Sequence, residues 1–168
     1  MAAGKVIDWQ ATLVELLNTT PVIDGVPTDV LADDGAARRW LRLHGGRNEI
    51  VDVRGVRDDL QGVVSGDRDP DVLDRYVDGV RRLPRIDDAG LTWYLDESAG
   101  WAARVVLAWG ELQNDMPGRL RPCANAECRL FLLDRTRAGT ARWCSMSTCG
   151  NRMKARRHYD RAAGRQSE

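Results

Sequence analysis

A chain of 168 residues and 18.8 kDa can fold around one ordinary core, or around one domain joined to a small metal-stapled module. No stretch of it approaches the roughly 20 apolar residues of a membrane span, and the start, with Lys5 and Asp8 among its first ten residues, lacks the apolar run of a signal peptide, so a cytoplasmic location is expected. The formal net charge is zero, yet residues 117–168 carry 12 lysines and arginines against 4 acids while residues 1–116 carry 13 against 21, which describes a basic tail suited to polyanions behind an acidic body, or two halves that attract each other.

Trp9, Leu13, Leu16 and Leu17 recur at helical spacing before Thr20-Pro21 stops them, so the pattern predicts an amphipathic helix over 8–19. Residues 22–27, with Gly25 and Pro27, read as loop. Thr28 or Asp29 can cap a short turn, and Asp33 or Asp34 can cap a helix carrying Ala37, Trp40, Leu41 and Leu43 that Gly45-Gly46 ends. Ile50, Val53, Val56, Leu60, Val63 and Val64 predict a further helix to about Ser65, and Val72, Leu73, Tyr76, Val77 and Val80 predict another over 71–83. Alternation of Leu91, Trp93 and Leu95 after Asp87-Asp88-Ala89-Gly90 predicts a β-hairpin over 84–96. Ser98 opens an apolar helix with Trp101, Val105, Val106, Trp109 and Leu112, and Met116-Pro117-Gly118 marks a boundary. The expected organisation is a mainly α domain over 1–116, with one short hairpin, and a small module over 117–168.

That module holds all four cysteines, paired as Cys123 with Cys128 and Cys144 with Cys149. Such spacing lets four thiolates meet around one tetrahedral ion. In a reducing compartment metal ligation is favoured over disulfides, and four thiolates leave no open coordination position, so the ion is structural; zinc is expected, although a four-sulfur site also accepts iron. Between the pairs, 130–134 and 140–143 read as two strands joined by a turn at Ala138-Gly139. Knuckle, hairpin, knuckle and helix together make a treble-clef-like finger.

The run Trp143-Cys144-Ser145-Met146-Ser147-Thr148-Cys149-Gly150-Asn151-Arg152 resembles the CGNR zinc finger, whose four name-giving residues stand here at 149–152. Phe131, Asp134, Thr136, Arg137 and Arg142 also sit where that family places an aromatic, an Asp, a Ser or Thr, and arginines. Leu17-Asn18-Thr19 and the segment from Asp29-Val30-Leu31 to Trp40-Leu41 resemble the companion ABATE domain, while Val6-Ile7-Asp8-Trp9 replaces the family's Gly-rich opening. The resemblance implies a bacterial transcription regulator, often stress-induced, with an N-terminal regulatory or ligand-sensing part and a C-terminal finger that binds nucleic acid.

Gly150 and Asn151 stand where the chain leaves the knuckle for a helix, with Asn151 as its expected cap. From Arg152, Ala155, Tyr159 and Ala162 fall on one side, read as inward, and Lys154, Arg157 and Arg161 on the other. Arg152 and Arg156 lie nearer the packing edge. These five cations are the candidate nucleic-acid contacts, DNA before RNA, with homodimerisation expected for a DNA reader because one finger makes few base contacts. Arg152 could instead pair with Asp134. A zinc-stabilised protein–protein interaction module and an RNA-binding protein are the alternative functions. His44 and His158 lie in no nucleophile or metal motif, so no enzyme is expected. Six tryptophans beside a single phenylalanine build a core or line an effector pocket, for which Asn18, Trp40 and Trp101 are the candidate ligand contacts.

Overall fold

The computed structural model describes residues 7–46 and 52–164, within which six α-helices and three antiparallel hairpins follow one another. The fold is mainly helical with a small finger at its C-terminal end. Helix α1 (Trp9–Leu17) begins where the Asp8 carboxylate accepts from the Ala11 N–H, and it buries Leu13, Leu16 and Leu17. The expected loop that follows is a small hairpin, β1 (Val22–Ile23) with β2 (Val26–Pro27). Asp24 and Gly25 take φ of 50° and 79°, the positive pair that a tight two-residue turn demands, and Asp-Gly is a dipeptide that supplies it.

Helix α2 (Asp34–Leu43) is capped by Asp33 and closes at His44. Helix α3 (Val53–Ser65) is capped by Asp52 and ended by left-handed Gly66; Ile50, read as its first apolar position, lies outside the described residues. The helix expected over 71–83 is much shorter. A 3₁₀ turn (Pro70–Leu73) leads into one turn of helix α4 (Asp74–Val77), and Gly79 then takes φ 70°. Arg82 and Leu83 are drawn instead into β3 (Arg82–Asp87), which pairs with β4 (Gly90–Leu95) from Arg82↔Leu95 to Asp87↔Gly90. The hairpin is two residues longer at its base than the apolar alternation alone indicates.

Helix α5 (Trp101–Asp115) packs along α1 and is the central element, burying Trp101, Val105, Val106 and Leu112. Around it gather Leu31, Leu41, Val56, Leu60 and Leu73. Two ionic networks fasten α3: buried Arg57 reaches Asp29 (2.6 Å) and Asp58 (2.9 Å), and buried Asp59 takes Arg68, Arg75 and the Tyr76 hydroxyl. Burying Arg57 and Asp59 is tolerable because each has its counter-charge.

Past Gly118, β5 (Leu120–Pro122) pairs with β6 (Phe131–Leu133). Leu120 and Phe131 belong to the same apolar cluster as α1 and α3, with Leu133 packed against it, so this hairpin lies against the helical body. It replaces the expected hairpin of 130–134 with 140–143. The first cysteine pair forms its tip, Cys123 donating its N–H to the Leu130 carbonyl (2.8 Å), while 140–143 run alongside without forming a strand. A π-turn (Met146–Gly150) leads directly into helix α6 (Asn151–Gly164).

Trp40 and Trp101 meet edge to face at 5.8 Å, and Trp40 stacks on His44. The Trp101 indole N–H donates to the His44 carbonyl (2.9 Å).

Candidate metal centre and nucleic-acid interface

The first knuckle turns over Asn125, which is buried although polar. Its Oδ1 accepts from the Glu127 N–H (3.2 Å) and its amide donates to Cys149 Sγ (3.5 Å). One small side chain thus shapes the first cysteine loop and touches a thiolate of the second. The second knuckle turns at Ser145, whose side chain accepts from the Thr148 N–H.

These turns bring all four Sγ atoms within 4.8 Å of one another. Cys128 and Cys144 stand 3.7 Å apart, Cys144 and Cys149 3.6 Å. Ligands of a tetrahedral zinc with Zn–S near 2.3 Å lie about 3.8 Å apart, so the spacing fits. Cys123 Sγ also accepts from the Cys144 N–H (3.4 Å), a second-layer contact of the kind that orients metal ligands. Crowding without a cation opposes ionisation: burial pushes the Cys128 thiol up to about 11 and the Cys144 thiol well above its usual range. At Cys149 burial acts the same way, but the Asn125 amide and neighbouring thiols outweigh it and the pKa falls. A dication removes that opposition. Four sulfurs so placed, with no other His, Asp or Glu in the group among the described residues, hold one structural zinc ion, and a closed shell of four thiolates leaves no position on it for catalysis.

Asp134 ties the two knuckles together. Its fully buried carboxylate accepts from the Thr136 hydroxyl (2.6 Å), the N–H groups of Thr136 and Ala141 (2.9 Å each) and the Arg121 guanidinium (2.7 Å). The Thr136 hydroxyl chiefly, with those N–H groups and Arg121, holds it down at about 2. Arg121 also donates to the Gly139 and Ala141 carbonyls, and Gly139, at φ 67°, makes the expected turn. Arg121 therefore fills the place considered for Arg152. Nothing local marks Arg121 for it, because the partner lies across a strand pair.

Helix α6 corrects two expectations. Asn151 is not its cap, since it is already helical (φ −68°, ψ −41°) and continues the π-turn that Ser145 caps. Gly150 takes no positive φ; a Cβ there would stand 2.8 Å from Met146 Sδ and 3.3 Å from Trp143 Cδ1, so a larger residue would need the end of the Met146 side chain to move and the Trp143 ring to give. Nor is the Ala155/Tyr159 stripe inward: Ala155 is exposed and Tyr159 is 73 % exposed. The helix packs on the π-turn and projects from the finger. Arg152 and Lys154 are exposed along it, and Arg156 reaches Glu127 of the first knuckle (3.2 Å) with both side chains largely in water. Arg157 and Arg161 share the helix, as do Ala162 and His158; their side chains lie outside the described set. Exposed Arg142 places its guanidinium 5.3 Å above the Trp143 ring, beside the start of α6, and composition alone gave no reason to add it.

Of the candidate ligand contacts, Asn18 bridges to the finger, its amide donating to the Phe131 carbonyl (3.2 Å) and its Oδ1 accepting from the Phe131 N–H (2.7 Å). Trp40 and Trp101 are buried against each other. A polar groove of about 530 Å³ lies elsewhere, between α3 and the first knuckle, with Asp58, Gln61, Arg68 and Arg129 among its walls. His44 is bound on both ring nitrogens, to the Trp40 carbonyl and to Glu15. No described helix is long and apolar enough to cross a membrane.

Residues 119–162 match the family model of the CGNR zinc finger. Residues 10–131 match that of ABATE, which carries the description "putative stress-induced transcription regulator". No curated protein matches the chain.

Proposed function

The chain belongs to the ABATE family and carries a CGNR zinc finger, and from that premise we propose that it regulates transcription by binding nucleic acid, DNA in preference to RNA, through helix α6. The observation that supports this most is the helix itself. It leaves a zinc-fixed turn and projects from the finger with Arg152 and Lys154 in water. A segment with a net charge of +8 over residues 117–168, whose helix exposes residues 151, 152 and 154–156, is suited to phosphates, which release counterions when neutralised. Arg156, shared with Glu127, contributes less than its neighbours.

Zinc sets the direction of the helix, and Asp134 with Arg121 holds the two knuckles in register. The helical body would then respond to a small effector; Asn18 and Trp101 already give their polar groups to Phe131 and His44, so an effector acting at Asn18 must displace a bond that joins body to finger, and one acting at Trp101 a bond within the body.

Fluorescence anisotropy of zinc-loaded protein against duplex DNA and structured RNA over a salt series tests the reading. Four to six phosphate contacts give a slope of log affinity against log salt of roughly −4 to −5, and changing Lys154, Arg157 and Arg161 to alanine should abolish it. No binding at low salt would remove the proposal in favour of a protein partner for the finger.

A further inference from the structure

The four cysteines of the metal centre differ in their surroundings. Cys123 and Cys149 are 7 % and 3 % exposed, whereas Cys128 and Cys144 are only half-buried. The buried pair also holds N–H donors, the Cys144 N–H on Cys123 (3.4 Å) and the Asn125 amide on Cys149 (3.5 Å). Such bonds stabilise charge on sulfur and make it a poorer nucleophile. Of the other two, Cys128 is met by the Leu130 N–H, and nothing among the described residues donates an N–H to Cys144. Cys128 alone of the four stands in the wall of the 530 Å³ groove between α3 and the first knuckle, where Thr20, Asp58, Gln61, Ser65 and Arg129 make a polar approach. A small polar reagent that enters this groove meets sulfur.

We infer that Cys128 is a site of oxidation by hydroperoxides, hydrogen peroxide being the smallest, and that Cys144 closes a disulfide with it. Bound to zinc, all four sulfurs are thiolates, the nucleophilic form. The Cys128 thiolate attacks one peroxide oxygen: an S–O bond forms, the O–O bond breaks, and the departing hydroxide takes a proton from water. The resulting sulfenic acid lies beside Cys144, whose sulfur is 3.7 Å from that of Cys128. The Cys144 thiolate then attacks the oxidised sulfur; the S–S bond forms, the S–O bond breaks, and a second hydroxide leaves and is protonated. The two sulfurs give up two electrons and one peroxide becomes two waters. Cys149 is as near to Cys144, at 3.6 Å, but its burial and the Asn125 amide put it behind Cys128. Cys123 and Cys149 then remain as half of a ligand set, too few for a structural ion, and the finger loses the fold that depends on it. On the reading that α6 binds nucleic acid, oxidation silences the finger and a thiol reductant with zinc restores it; the modification itself does not rest on that reading.

Hydrogen peroxide added to the zinc-loaded full chain tests this, with zinc release followed by a chromogenic chelator and the disulfide located by mass mapping of peptides without reductant. Zinc release in step with a Cys128–Cys144 disulfide is expected. Cys128→His keeps four ligands in a Cys3His set, and should slow release roughly tenfold or more, because thiol oxidation follows exposure. In Cys144→His the resolving thiol is gone, and dimedone, which captures sulfenic acids, should label Cys128. The mapping on the unaltered chain decides even where a variant loses its ion, and no readout involves nucleic acid, so the result stands apart from the proposed function. Zinc retained with all four thiols free after excess peroxide, a first disulfide that includes Cys123 or Cys149, or a label on either of them in place of Cys128, overturns the inference.

Discussion

Replacing Asn18 by alanine should cost far more than a half-buried residue at a helix end ordinarily does. In the β5–β6 ladder the Asp134 N–H donates to Arg119 and the Cys123 N–H to Leu130, so Phe131, between these bonded positions, turns its own N–H and carbonyl outward to α1. Phe131 is only 7 % exposed, and the Asn18 amide satisfies both groups (3.2 and 2.7 Å). Alanine leaves a donor and an acceptor against an apolar wall. At roughly 1–3 kcal/mol for each neutral group left unmade, with some relief from water, the loss should be about 2–4 kcal/mol, a large part of the roughly 5–15 kcal/mol that holds a domain together. Asn18→Asp keeps an acceptor for the Phe131 N–H but loses the donor to its carbonyl, and should fall between alanine and wild type. Urea unfolding of the zinc-loaded protein, followed by tryptophan fluorescence, gives the difference as a midpoint shift at unchanged slope. A loss below about 0.5 kcal/mol for Asn18→Ala, well under the cost of one unmade bond, would refute the claim that this amide fastens body to finger.

Chelation of zinc should unfold the finger, since ions in comparable sites supply on the order of 10–16 kcal/mol. It should also lower the melting temperature of the helical body, because Leu120 and Phe131 lie in the body's core; an unchanged melt, read by circular dichroism with and without chelator, would contradict that shared core. Asp29 predicts an acid limit. Burial opposes its ionisation, but Arg57, the Leu31 N–H and the nearby Arg54 prevail and hold its pKa below the ordinary value. A depressed carboxylate stabilises the fold above the unfolded value near ~4 and loses that contribution as pH falls toward its folded pKa. Asp29→Asn should therefore be less stable than wild type at pH 6, with the gap closing below about pH 4; a gap constant across that range in denaturation at each pH would show that the charge does not matter.

The zinc ligands, the helices α1, α2, α3 and α5 and the Asp33 cap of α2 were legible in the sequence, because each rests on a pattern a few residues long: cysteines flanking a turn, apolar residues at period 3.6, an aspartate just ahead of a first turn. Glycine decided more subtly. Gly25, Gly66 and Gly79 act through positive φ, which neighbours such as Asp24 or a following strand help to reveal. Gly150 acts through the closeness of Met146 and Trp143, which no local pattern records.

What the tertiary structure alone decided is the choice among distant partners of equal local merit. Residues 130–134 could pair with either flank, and they pair with 120–122 because that hairpin sets Leu120 and Phe131 on the body while its tip carries the first cysteine pair. Asp134 could face any of several arginines and takes Arg121, which the register of β5 delivers. Asn18 finds Phe131 across 113 positions of chain. Tyr159 and Trp93, apolar in a pattern that reads as inward, are instead 73 % and 59 % exposed. Periodicity fixes which side of an element is apolar, but burial requires a second surface, and where that surface comes from is settled only once the chain has folded.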